Sequence, residues 1–296
     1  MSQMKSHKPR GYLYWLGILL AMLALPAWAS DFSHGVLWKI SKPGIASSYL
    51  FGTIHSDDAR VTRLPPAVAL AFANSQSFTG ELDMSANSMT QTEKALLLPS
   101  GQTLKDIVGK ARYQKCVKLM ADYTVPASVV DRMKPWAIAV QLNMPKPVSD
   151  RFLDLILYRR AVARGMPVYA LETIPEQIAV FDKLPQSQQL VLLDDAIANY
   201  ENSAALIDTL IDLYLARDLA GLQAINNNQM QNGDTRLATE VEQRLIISRN
   251  LRMVRRMQSQ LLEGHAFIAV GALHLPGKQG ILNLLQQQGY LVKYVY

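Results

Sequence analysis

The chain has 296 residues, of which 49% are apolar and 18% charged, with one cysteine and a formal charge of +6. These proportions exclude a disordered or low-complexity chain, and a lone Cys116 excludes any internal disulfide. Three of the positive charges, Lys5, Lys8 and Arg10, lie at the extreme N-terminus, so the rest of the chain is near +3, too small an excess to indicate nucleic acid as a partner.

Those three cations precede an uncharged, mostly apolar run from Gly11 to Leu25. Pro26-Ala27-Trp28-Ala29 follows, with Ala27 and Ala29 in the small-x-small pattern that a signal peptidase reads. The apolar run is short of the ~20 residues that a spanning helix needs. The expectation is therefore a signal peptide over residues 1–29, cleaved after Ala29, and a single domain over residues 30–296. That domain is expected to be exported, to a periplasm or beyond, and to meet the membrane only through its leader.

Val36-Leu37-Trp38-Lys39-Ile40 and Ser48-Tyr49-Leu50-Phe51 read as two strands joined by a turn at Lys42-Pro43-Gly44, a hairpin-like entry to a sheet. Leu64-Pro65-Pro66 opens a helix, since proline suits a first turn. Ser77–Asp83 reads as a strand ending in acid. From Gln102 to Leu184 apolar residues recur at three- and four-residue steps, which predicts helices punctuated by Pro126, Pro135, Pro145 and Pro147. Cys116 falls in this pattern as a packed thiol, and Gly165 suits a helix C-terminus.

One strand, Pro167–Glu172, interrupts the helices, and Thr173-Ile174-Pro175-Glu176 matches a capping box. Further helices are predicted from Ser187 to Glu263, with loops at Asn226–Asn228 and Asn232-Gly233-Asp234. Within them Arg249, Arg252, Arg255 and Arg256 read as a solvated helix face. Ala266-Phe267-Ile268-Ala269-Val270 is a continuous apolar run, as in a strand buried on both faces. Gly271-Ala272-Leu273-His274, a helix over Ile281–Leu285 and a strand at Tyr290–Val295 complete the chain.

The two ends share a layout of strand, G-x-x-H, proline-marked loop, helix and strand, separated by a helical insert of about residues 100–263. This predicts an α/β fold with a mixed β-sheet flanked by helices and both motif histidines on one sheet edge. Four strands then end in His55, Glu81, Glu172 and His274. In open α/β sheets ligands bind beyond the carboxyl ends of the strands. Imidazoles and carboxylates gathered there suit a divalent metal or a water activated by a general base. His34 and His265 lack that setting and read as surface or loop residues. No H-E-x-x-H, G-x-S-x-G or C-x-x-C occurs, and the glycines from Gly271 to Lys278 do not have P-loop spacing.

The combination resembles the TraB/GumN family, related to the Tiki-type proteases and more distantly to erythromycin-esterase-like enzymes. The residues that carry the resemblance are Tyr49–His55, Glu81-Leu82-Asp83, Lys134-Pro135-Trp136, Asp154, Ala170–Thr173 with Gln177, Arg249-Asn250 and Val270–Gly277. It implies a metal-dependent hydrolase, with peptide cleavage the activity of the Tiki branch. On that reading His55, His274 and Glu81 hold a divalent ion, such as manganese, cobalt or zinc. Glu81, Glu172 and Arg249 take catalytic roles, Arg249 by pairing with Glu81 or Glu172 or by stabilising an oxyanion, and Asp83, Asp154 and Asn250 support the ligands from behind. The substrate is then a peptide or other small molecule. Many members carry an acid before the Arg-Asn pair, where this chain has Ser248. Two other readings stay open: a metal-free site in which a histidine activates water, and a non-catalytic cleft that binds a metal, a haem-like cofactor or a partner protein.

Overall fold

The computed structural model describes residues 32–146, 149, 151–231 and 235–296. The leader, its cleavage site at Ala29, Pro147 and the Asn232-Gly233-Asp234 loop lie outside the described residues.

In chain order the elements are β1 Leu37–Lys42, β2 Ile45–Thr53, α1 Ala59–Thr62, α2 Pro66–Ala73 and β3 Ser77–Gly80. α3 Ala86–Ala95 precedes the insert, whose first part holds α4 Leu104–Val108, α5 Lys110–Met120, α6 Ala127–Val130, α7 Pro135–Leu142 and α8 Leu153–Ala163. After β4 Val168–Ala170 come α9 Ile174–Asp182, α10 Gln186–Leu215, α11 Leu219–Gln231 and α12 Thr235–Glu242. A π-helical turn over Gln243–Ile247 leads into α13 Ser248–Arg256 and α14 Gln258–Glu263. The chain closes with β5 Ala266–Gly271, a 3-10 turn at Ala272–His274, α15 Ile281–Gln287 and β6 Leu291–Tyr294.

The strands form one mixed sheet in the order β4-β3-β5-β2-β1-β6. β4, β3, β5 and β2 run parallel, while β1 pairs antiparallel with both β2 and β6. The α/β fold with a mixed sheet flanked by helices is therefore the observed one. The central parallel strands β3 and β5 are covered on both faces: β3 is buried throughout, and β5, an unbroken apolar run, almost throughout. β2 and β5, from opposite ends of the chain, are direct neighbours, with Gly52 opposite Val270 and Thr53 opposite Gly271. Gly52 permits a close approach: a Cβ there would lie 2.7 Å from Leu275 Cδ1 and 3.1 Å from Ala272 Cα.

One core surrounds the sheet, built around Phe51, Phe267, Leu50 and Ile268. A second core belongs to the insert, where Cys116, Met120, Trp136 and Leu142 pack with Leu193. Cys116 is fully buried, and burial pushes its thiol up to about 11, so it packs as an inert apolar group. The expected capping box is complete: Thr173 Oγ1 accepts from the Glu176 N–H, and Glu176 Oε2 accepts from the Thr173 N–H at 2.9 Å. Gly165 follows the end of α8 with φ +67, the left-handed exit that glycine takes without strain.

Two expectations are corrected. Asn226–Asn228 is not a loop but part of α11, because Leu219 and Leu222 bury that helix against the core and outweigh the poor helix propensity of asparagine. The arginines of α13 are not a solvated face. Arg249 is buried, Arg252 pairs with Glu172, and Arg256 makes two 2.7 Å bonds to Glu176 while also donating to the Leu171 carbonyl. These three arginines latch α13 onto the β4–α9 segment, leaving Arg255 on the exposed side.

Candidate functional site

Because β2, β3, β4 and β5 are parallel, their carboxyl ends share one edge. The residues just beyond them are His55, Glu81, Glu172 and the turn that carries His274. A cavity of about 460 Å³ opens at this edge, and His55, Glu81, Arg249 and His274 line it together with Asp154 and Gln177. Its remaining walls are mostly apolar, with Met84 from the loop after β3 and Met144, Leu210, Leu245 and Ile246 from the insert.

His274 is the most enclosed of these groups. Its Nδ1 lies 2.6 Å from Asn250 Oδ1, and Asn250 Nδ2 donates to the Gln279 carbonyl at 2.8 Å. The amide oxygen can only accept, so Nδ1 carries the hydrogen and Nε2 keeps a lone pair. Burial, helped by Arg249 and opposed by Glu81, lowers the His274 pKa to about 4, which leaves a neutral imidazole at physiological pH. Nε2 stands 3.8 Å from Glu81 Oε1.

Glu81 is gripped from three sides. The Gly271 N–H donates to Oε1 at 2.6 Å, Arg249 Nη2 lies 2.5 Å from Oε2, and Gln177 Nε2 donates to Oε2 at 3.3 Å. Burial alone would raise its pKa, but the charges of His274 and Arg249 and the Gly271 N–H outweigh it and hold the carboxyl below its ordinary value. With His274 neutral, Arg249 and the Gly271 amide keep Glu81 ionised at neutral pH.

Arg249 bridges two carboxylates. Its Nε donates to Glu172 Oε2 at 2.8 Å while Nη2 holds Glu81. Its Nη1 donates to the Leu245 carbonyl inside the π-helical turn that aims it. Burial opposes the Arg249 charge, and the two glutamates more than restore it. Glu172 also pairs with Arg252, and its side chain has no exposed surface. It does not line the cavity, and both of its oxygens are taken up by Arg249 and Arg252.

His55 occupies the mouth, with 52% of its side chain accessible and its ring tilted by 39° against that of Phe152, centroid to centroid 4.2 Å. Nδ1 lies 3.2 Å from Asp154 Oδ2, a buried oxygen with no other hydrogen-bond partner among the described residues. Asp154 Oδ1 accepts from Thr53 Oγ1 at 2.7 Å. Burial disfavours the His55 charge, but Asp154, with Glu81 behind it, raises the pKa above 6.5. The two motif histidines are thus pushed in opposite directions.

The other expected residues separate. Asp83 lies outside the cavity and organises the loop before α3, accepting from the hydroxyls of Ser85, Ser88 and Tyr158. Ser248 is exposed, with its hydroxyl accepting from Gln243, so that position does not face the histidines. His34 and His265 are exposed and distant from the site. Thr53, Phe152 and the apolar walls carried no spacing signal. Gln177, which belongs to the residues that carry the family resemblance, is one helical turn past Thr173 and donates to Glu81.

The donor chemistry suits a divalent ion: a neutral imidazole nitrogen and an ionised carboxylate face each other, and an amide orients the imidazole from behind. Among the described residues, no three His, Cys, Asp or Glu side chains converge closely enough to hold an ion. His55 therefore stands apart from the His274–Glu81 pair, drawn instead to Asp154.

Metalloprotease TIKI2 of Danio rerio is 28% identical to this chain, over 88% of the chain and 61% of the relative. Metalloprotease TIKI1 of Homo sapiens is 26% identical, over 88% of the chain and 62% of the relative. The chain thus spans about six-tenths of the length of these relatives. The protein named uncharacterized YbaP of Shigella flexneri is 24% identical, over 88% of the chain and 96% of the relative. No solved structure matches. The profile of the TraB/PrgY/gumN family matches residues 36–294, nearly all of the described chain, and the protein belongs to that family.

Proposed function

We propose that the chain is an exported, metal-assisted hydrolase that cleaves peptides at the edge where β2 and β5 meet. The observation that carries this reading is the placement of His55 and His274, one from each end of the chain, in a single cavity with Glu81 and Arg249. The names of the TIKI relatives support the reaction class.

His274 Nε2 and Glu81 Oε1 are the groups that would hold the ion. When bound, such an ion polarises a scissile carbonyl and lowers the pKa of water. Two protein donors leave several positions for water and substrate, which suits manganese or cobalt better than zinc, whose catalytic sites usually have three protein ligands. Asn250 fixes the His274 tautomer. Arg249 keeps Glu81 ionised and supplies positive charge where an oxyanion develops. His55, whose proton affinity Asp154 raises, holds a proton at the mouth and delivers it to the departing amine. Opposite shifts on two nearby titratable groups are how one site keeps an acid and a lone-pair donor at the same pH.

The test is turnover of a broad peptide panel by purified protein, with chelator and with added Mn²⁺, Co²⁺ or Zn²⁺. Cleavage should vanish with chelator, return with Mn²⁺ or Co²⁺, and be abolished in His274→Ala. Chelator-resistant cleavage would remove the ion, and full turnover by His274→Ala would remove that histidine. Because both oxygens of Glu81 already accept hydrogen bonds, a metal-free site in which a histidine activates water is the second reading, identified by cleavage that persists in chelator. Export is tested by the N-terminal sequence of the secreted or periplasmic protein, which should begin after Ala29.

A further inference from the structure

A second pocket, of about 370 Å³, lies between α11 and the loop Pro276–Gly280. It shares a wall with the His274 cavity, because Ile246 and Leu273 line both. Asn250, which holds His274, also lines it. Both volumes fall in the ~300–1,000 Å³ range of ligand pockets, but their chemistry differs. The first is mostly apolar beyond its charged centre. The second presents the carboxamides of Gln223, Asn226 and Asn227, which spacings of three and four place on one face of α11. No hydrogen bond among the described residues engages these three carboxamides, although that of Asn250 is bonded at both ends.

The floor is preformed. At Gly277, with φ +87, a Cβ would lie 2.7 Å from Gln223 Nε2, and at Gly280 it would lie 2.1 Å from the Pro276 carbonyl oxygen. Gly277 therefore lies directly against the Gln223 side chain of α11, and Gly280 lets the loop fold back onto its own Pro276. Glu242 and Lys278 flank the pocket with opposite charges, so it selects no sign of charge.

We infer that this pocket is a second substrate subsite, which takes an uncharged polar side chain of an extended peptide whose apolar side chain fills the neighbouring cavity. A carboxamide both donates and accepts, so it matches serine, threonine, asparagine or glutamine and the adjoining main-chain amide. In an extended chain, residues two apart point the same way and lie ~7 Å from each other. Two pockets that share the wall of Ile246 and Leu273 suit that alternation of side chains. The inference rests on the peptide-hydrolase reading for its reaction but not for its binding.

The experiment uses a positional-scanning peptide library with the purified protein and its Asn226→Ala/Asn227→Ala variant. Each is assayed twice: for cleavage with Mn²⁺ present, and for peptide retention with chelator present. Alanine favours the helix, so the variant keeps α11. The wild type should prefer an uncharged polar residue two positions from an apolar one. The variant should lose about five- to thirtyfold of that preference, the worth of one or two hydrogen bonds, and keep the apolar preference. Cleavage with no polar preference, or with the same preference in the variant, overturns the subsite and leaves the hydrolase standing. Selective retention without cleavage upholds the subsite and overturns the hydrolase. Neither retention nor cleavage overturns both.

Discussion

Replacing Arg249 with methionine is the sharpest perturbation of the site's architecture. Methionine fills much of the same space but leaves two carboxylates, Glu81 and Glu172, without the cation that bridges them at 2.5 and 2.8 Å. The arginine side chain is 5% exposed and that of Glu172 is 0% exposed, so water cannot replace the lost charge. Glu172 keeps Arg252 at 3.2 Å, and Glu81 keeps the Gly271 N–H. Removing one partner of a buried ion pair costs about 3–5 kcal/mol. For a domain of this size that lowers the thermal midpoint by about 6–20 °C, at 2–4 °C per kcal/mol. The assay is thermal and urea unfolding followed by circular dichroism. Adding Glu172→Gln to Arg249→Met should recover part of the loss, because it removes one of the stranded charges. A single variant within about 1 kcal/mol of wild type would show that the bridge does not hold α13 to the strand ends, and the geometry of the whole centre would need another explanation.

Three further outcomes follow from particular contacts. Gly52→Ala should cost about 1–3 kcal/mol in urea unfolding, because its Cβ would meet Leu275 and the Ala272 backbone at the β2–β5 seam; a neutral substitution would mean that seam is loosely packed. Asn250→Ala frees His274 Nδ1 and should lower kcat about 10–100-fold with a smaller change in KM, and an unchanged kcat would remove Asn250 as a positioning residue. Glu176→Gln weakens the cap of α9 and the two bonds to Arg256, costing about 1 kcal/mol at pH 7 after allowance for partial exposure. The Glu176 carboxyl is lowered from 4.5 to about 2, chiefly by Arg256 and then by the Thr173 N–H. Its contribution is therefore complete above pH 4.5 and is lost as pH falls through about 2. Urea midpoints of wild type and variant should converge over that interval, and a gap that persists at the acid end would refute the assignment.

The parts of the fold that were legible in the sequence are those governed by local pattern. β5 announces itself by unbroken apolarity, the β1–β2 turn by Pro43-Gly44, and α9 by its capping box. That four strands end in His, Glu, Glu and His could be read one strand at a time, because a strand and its following residues are contiguous. What those ends do could not, since carboxylates look alike in a sequence. Glu81 and Glu172 occupy equivalent strand ends, yet Arg252 draws one out of the cavity and Gly271 holds the other inside it. The solvated-face expectation for Arg252 and Arg256 fails for a related reason. Periodicity places them on one helix but does not reveal that an acidic segment lies against it. Asn226 and Asn227 read as loop formers because propensity is local, whereas α11 is held by leucines that reach the core.

The position of β5 fixes when the site can exist. This strand begins at residue 266 of 296, yet it lies between β3 and β2, which touch each other nowhere else in the sheet. Until it inserts, the N-terminal hairpin and the β3–β4 pair are separate fragments with open edges, and His55 and Glu81 have no common frame. Closing the sheet requires contacts spanning almost the entire polypeptide, the kind that form slowly. The centre is thereby tied to this one strand: a chain cut short before it would lack the turn that carries His274 and the neighbour that brings the end of β2 beside the end of β3.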